Sequence, residues 1–207
     1  AQLVSVTLAP PAAVLCIFAP EVIYDWTGNT AHALATASIL PPLIIGSFLN
    51  AMMWMPYQCQ LAYGWTSFAL KTNLIGACLI IPAILWVTPH YGAPGAAWVW
   101  AGLNIAYMLG GIPIMHKYIL TSEKWTWYDR DVGRPLIAAL LVVAAVRLAA
   151  HQQIHDRMLW LATLLLAGFL SFLAAALASD VARQKLFEAL SGWRSAWPIR
   201  ALCRIIR

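Results

Sequence analysis

Charge is what this sequence has least of. Charged side chains make up 10% of the residues, against about 25% in an ordinary soluble domain. Carboxylates are scarcest, with 8 Asp and Glu in 207 positions. The chain contains no Walker A loop, no GxSxG elbow and no HExxH pair, the signatures that place phosphates, nucleophiles or zinc. It therefore reads as no enzyme, and any transport must be downhill, ion-coupled or driven by a partner. The four cysteines, Cys16, Cys59, Cys78 and Cys203, have neither metal-ligand nor disulfide-framework spacing. They read as small apolar or free cysteines. His151 and His155 are four apart beside Asp156, but no third ligand is evident, so neither a metal nor a cofactor is expected. Low-complexity tracts and the alternation of a membrane β-barrel are also missing. No charged n-region precedes the first apolar run, so the chain is expected to open at an internal break rather than with a signal peptide.

What is present is apolar side chain, 62% of all residues. A water-soluble fold of this size has too little interior to hide it. The apolar residues gather into six runs of membrane-spanning length: Leu3 to Tyr24, Ala35 to Tyr57, Trp65 to Val87, Gly95 to Met115, Pro135 to Ala150 and Met158 to Ser179. The fifth is the shortest, about 24 Å as a helix, and it spans if Arg147 reaches outward along its aliphatic stem. An all-α transmembrane fold follows, with a spanning unit over 1–179 and a basic tail over 180–207.

Lysine and arginine orient the runs. If the first begins in the cytoplasm, Lys71, Lys117, Lys124, Arg130, Arg134, Arg183, Lys185, Arg194, Arg200, Arg204 and Arg207 fall on the inner face. Only Arg147 and Arg157 fall on the outer face. Both the start of the chain and its tail are then cytoplasmic. The net charge of +5 thus reads as contact with membrane lipids and not with nucleic acid. Tryptophans fit the same layout. Trp26, Trp86, Trp98, Trp100 and Trp160 lie near the outer boundary, and Trp65, Trp125, Trp127, Trp193 and Trp197 near the inner one. Trp54 lies about a turn deeper and has no assignment.

Prolines mark expected kinks at Pro10-Pro11, Pro41-Pro42 and Pro82, of which Pro41-Pro42 is the best candidate for a hinge or cavity wall. The acidic stretch from Glu21 through Asp25-Trp26-Thr27-Gly28-Asn29 reads as an outer turn. Thr121 to Asp131 reads as a segment lying along the cytoplasmic interface. After the sixth run, Leu186, Leu190, Trp193 and Trp197 recur at helical spacing between Arg183, Lys185 and Arg194, the pattern of an interfacial amphipathic helix.

Polar residues inside the runs are the candidate site. Lys71 is the one cation well inside a run, and a cavity receiving an anionic headgroup would use it; a lysine that snorkels to the boundary is the plainer reading. Gln58 and Gln60 end the second run, and Thr72 and Asn73 flank Lys71. Asn50 and Asn104 are single amides that can each bond a neighbouring helix. Small residues at Gly92-Ala93-Pro94-Gly95-Ala96-Ala97 read as a tight turn that re-enters the membrane.

Three stretches, in this order and spacing, resemble the polysaccharide or O-antigen flippases of the multidrug/oligosaccharidyl-lipid/polysaccharide exporter superfamily. They are Pro56-Tyr57-Gln58-Cys59-Gln60-Leu61-Ala62-Tyr63-Gly64-Trp65, then Tyr91-Gly92-Ala93-Pro94-Gly95-Ala96-Ala97-Trp98-Val99-Trp100 with Asn104 following, then Met115-His116 and Glu123-Lys124-Trp125. The Trp26-Thr27-Gly28-Asn29 turn fits the same pattern. The resemblance covers about residues 1 to 180. It implies the six-helix C-terminal part of a two-lobe exporter bundle whose N-terminal lobe is absent here. It implies a place in the bacterial inner membrane, where the protein moves undecaprenyl-pyrophosphate-linked oligosaccharide to the periplasmic leaflet for surface polysaccharide synthesis. Polysaccharide polymerase and chain-length proteins are the implied partners. On chemistry and depth, Lys71 is the expected diphosphate contact, Gln58, Gln60 and Asn73 the polar lining, and Tyr57 a stacking residue. The rival readings are an ion-coupled drug or small-cation antiporter of the same superfamily, and a non-transporting scaffold of a glycan assembly complex.

Overall fold

The computed structural model describes residues 1–150 and 157–196. It is all-helical, with no strand among the described residues. Three helices are long and apolar enough to cross a membrane, or up to five if each of two bent pairs counts as one crossing. The sequence features His151, His155, Asp156, Trp197, Arg200, Cys203, Arg204 and Arg207 lie outside the described residues.

The first apolar run is two helices, not one. α1 (Gln2–Ile17) stops at Phe18, and α2 (Ala19–Thr27) leaves it at 83°. Pro20 lies in the first turn of α2, where a missing N–H costs nothing; one turn later in a continuous helix it would have lost a bond. The acidic stretch expected as a turn is therefore helical through Thr27, and the chain turns only at Gly28, whose N–H caps Tyr24. Asn29 then starts α3 (Thr30–Ala37) by accepting from the N–H groups of Ala31 at 2.9 Å and His32 at 3.2 Å.

α4 (Leu40–Ala62) follows at 49° to α3. Pro41 and Pro42 sit in its first turn, so they start a helix after a break instead of kinking one. Its end is a Schellman turn: Trp65 N–H bonds the carbonyl of Gln60 at 2.9 Å, Gly64 N–H bonds that of Leu61 at 3.0 Å, and Gly64 takes φ of +70°.

α5 (Thr66–Tyr118) runs 53 residues, about 80 Å if straight. It is not straight. Gly92 has φ 63° and ψ −156°, a region essentially closed to side chains other than glycine's. Beyond it the chain folds back on itself. Tyr107 Oη donates to the carbonyl of Thr72 at 2.9 Å, and the rings of Trp65 and Tyr118, at the two ends of α5, lie 5.4 Å apart. The legs 66–91 and 93–118 are thus antiparallel neighbours, and Gly76 leaves the space that the Tyr107 hydroxyl occupies. The re-entering turn read at Gly92-Ala93-Pro94 is where the hairpin reverses.

α6 (Lys124–Ala149) begins eleven residues before the expected fifth run. Of the stretch expected to lie along the interface, 121–123 is a turn, and from Lys124 onward it is continuous with the long apolar helix through a wide π-type turn over Trp127–Gly133. That turn ends just before Pro135, whose ring would crowd the carbonyl four residues back in a regular helix. At 26 residues, α6 needs no help from Arg147 to span. α7 (Met158–Ala178) and α8 (Asp180–Ala196) complete the described chain.

α1 is the hub, packing against α4, α6 and α7, while the hairpin packs on α4. Alanines fill the hub: Ala9, Ala139, Ala167 and Ala175 are wholly buried. Small residues let helix backbones approach closely, which matters in lipid because apolar surface gains little there from helix contact alone. Ser171 Oγ adds a bond to the carbonyl of Ala139 at 3.3 Å. Large apolar side chains face outward instead, among them Leu70, Leu74, Leu85 and Leu165.

The two ends of the bundle are closed by different polar contacts. At one end Gln2 donates to Asp131 at 2.9 Å and accepts from Ser179 Oγ at 2.9 Å and Val181 N–H at 3.1 Å. At the other, Arg147 pairs with Glu21 and lies 5.2 Å over the Phe18 ring. Arg147 was expected to reach outward along its aliphatic stem. Its guanidinium is held by the Glu21 carboxylate, a pairing of opposite charges between α6 and α2.

Candidate functional site

A partly open cavity of about 240 Å³ lies between α4 and both legs of the hairpin. α4 supplies Asn50, Met53, Trp54, Tyr57 and Gln60, which recur every three or four residues and so share one face. The first leg supplies Phe68, Ala69, Thr72 and Asn73, and the second Tyr107, Gly111 and Ile112. The second leg widens to a π-type turn over Tyr107–Gly111 at this level, a distortion often found beside functional cavities.

One wall is tied by amides. Asn50 Nδ2 donates to Asn104 Oδ1 at 3.1 Å, and Asn104 Nδ2 donates to the Trp100 carbonyl at 2.9 Å. Asn104 is completely buried. The amides of Asn50 and Asn104 thus bond each other across helices, worth about 0.6 kcal/mol in such settings. The Tyr107–Thr72 bond holds the hairpin's legs together at the cavity. The remaining lining is aromatic, aliphatic and neutral polar: Met53, Ala69 and Ile112 are apolar, Trp54 is 58% exposed, its ring centroid is 6.1 Å from that of Tyr57, and Phe68 is stacked on Trp65 at 4.4 Å.

Of the residues expected from the sequence, Tyr57, Gln60 and Asn73 line the cavity, and Gln58 and Lys71 do not. Each is one residue away from a lining position, and one residue is 100° of helix rotation. Lys71 is exposed on a different face of the first leg from Thr72. Among the described residues no Lys, Arg, Asp, Glu or His side chain lines the cavity. Trp54, Phe68 and Tyr107 were missed as site residues. Trp54 carried one signal, its depth below the boundary where the other tryptophans gather; Phe68 and Tyr107 look like any apolar span residue until the hairpin closes. Among the described residues no group of three or more His, Cys, Asp or Glu could hold a metal ion.

These features mark an all-helical chain with the long apolar helices of a multi-pass membrane protein and an uncharged, mixed apolar and polar cavity against an exposed hairpin. The chain matches no protein-family model, no curated protein and no solved structure.

Proposed function

We propose that the chain is the C-terminal, six-pass part of a two-lobe exporter that flips polyprenyl-pyrophosphate-linked oligosaccharide across the bacterial inner membrane, with chain start and tail in the cytoplasm. The observation that carries this reading is the lining of the cavity. Aromatic faces beside amides and hydroxyls, with no ionic group, suit a neutral sugar, whose ring stacks and whose hydroxyls exchange hydrogen bonds. Trp54 and Tyr57 supply faces; Gln60, Thr72 and Asn73 supply polar partners. Lys71 is exposed on another face of the same leg, and there it meets the diphosphate as a point charge while the lipid tail stays in the bilayer. An antiporter for drugs or small cations is less well supported. It would want a carboxylate in its cavity, whereas Glu21 is held by Arg147 at another corner of the bundle.

Flipping by the whole protein in liposomes, followed with lipid diphosphates bearing or lacking the oligosaccharide, tests this. Trp54→Ala should slow flipping of the sugar-bearing lipid about three- to tenfold, the loss expected for one aromatic contact. Lys71→Ala should slow both lipids. Wild-type rates for both variants on both lipids would remove the reading.

A further inference from the structure

Helix α8 is an amphipathic helix that the cavity and its proposed role leave unused. Its start is fixed. Ser179 Oγ accepts from the N–H of Ala182 at 3.2 Å as a helix cap, and Gln2 accepts from Ser179 Oγ and from Val181 N–H. Gln2 begins α1 and Ser179 follows α7, so α8 emerges where two apolar helices of the bundle end. It packs on both of these helices. Val181, Leu186 and Phe187 are left exposed, Phe187 by 62%.

Helix geometry sorts the sequence of this segment. At 100° per residue over 180–196, Ala182, Leu186, Ala189, Leu190 and Trp193 fall within one arc, with Phe187 beyond Arg194 and Val181 on the polar side. Arg183 and Arg194 flank it on one side and Lys185 on the other, while Gln184, Glu188, Ser191 and Ser195 fall opposite. Basic residues at the edges of an apolar arc can bury their stems and lift their charges to a headgroup layer. From Asp180 to Arg207 there are six basic residues against two acidic ones. That charge fits an anionic surface, and the tryptophans fit the boundary between headgroup and acyl chain.

We infer that α8 lies on the bilayer surface and that anionic phospholipid holds it there. Attraction of a basic segment to such a leaflet strengthens by roughly fivefold per Lys or Arg near the surface. The inference does not depend on what the cavity carries. It is tested by hydrogen–deuterium exchange of the whole chain in nanodiscs of phosphatidylcholine, with and without phosphatidylglycerol. Backbone amides of 184–196 should exchange about tenfold more slowly or better in the anionic discs, and added salt should remove the difference. Lys185→Gln with Arg194→Gln should shrink it, with the amides of α1 and α7 unchanged as a check that the bundle is intact. Equal exchange in both lipids would overturn the inference. So would protection that grows with protein density in neutral discs, since that would mean a second copy covers α8.

Discussion

Replacing Gly46 by alanine should force α4 away from the second leg of the hairpin. A β-carbon there would lie 2.5 Å from Trp100 Cδ1, 2.7 Å from Trp100 Nε1 and 3.1 Å from the Cα of Ala101. Ordinary contact begins at 3.4 Å, so the indole must retreat by about 0.9 Å. A side chain can do that by rotating; the Cα of Ala101 cannot, and the two helices must separate by a few tenths of an ångström. Overpacking of this kind costs about 1–3 kcal/mol. Gly102 is the internal control. It lies on the same leg, with nothing within 4 Å of its would-be β-carbon. There alanine should be neutral or stabilise by about 0.5–1 kcal/mol through the backbone freedom it removes. The two substitutions add the same methyl group and should act with opposite sign. Reversible denaturant unfolding in mixed micelles, read by tryptophan fluorescence, measures both. A Gly46→Ala protein as stable as wild type, or a Gly102→Ala protein equally damaged, would refute the packing of α4 on this leg.

Two further substitutions probe the bundle. Arg147→Gln should destabilise it by about 1–3 kcal/mol, because Glu21 then keeps its charge in a half-buried place without a cation. Adding Glu21→Gln should restore part of the loss, and strictly additive costs in the same unfolding assay would mean that the pair is not coupled. Gly92→Ala should cost about 1–3 kcal/mol by forcing a side chain into a backbone region reserved for glycine. Cross-linking between cysteines placed at 65 and 118 should weaken with it if the hairpin opens.

The membrane class was legible in the sequence because a bilayer demands a single property, runs of apolar side chain about twenty residues long. Composition and run length report that property directly, without reference to any neighbour. The turn at Gly92 was similarly local, since glycine is needed wherever φ is positive. The bends at Phe18 and before Leu40 were less legible. A proline inside an apolar run announces a disturbance, but the sequence does not say whether the helix kinks or restarts.

The tertiary structure alone decided the site. Hydropathy cannot distinguish a side chain facing lipid from one facing another helix, because both are apolar. A polar residue gives only its depth, and its direction depends on which helix packs beside it. Lys71 and Thr72 are adjacent in sequence and 100° apart in space, so chemistry and depth favoured the lysine, while the fold brought Thr72 and Asn73 to the cavity. Asn50 and Asn104 are 54 residues apart, and they meet because the hairpin reversing at Gly92 brings its second leg back against α4. Arg147 finds Glu21 across 126 residues because α2 turns away from α1 at Phe18. The sequence by itself determined that the chain is a set of apolar helices and where most of them reverse. Which polar groups face one another was settled by packing, since that depends on helix rotation and on partners remote along the chain.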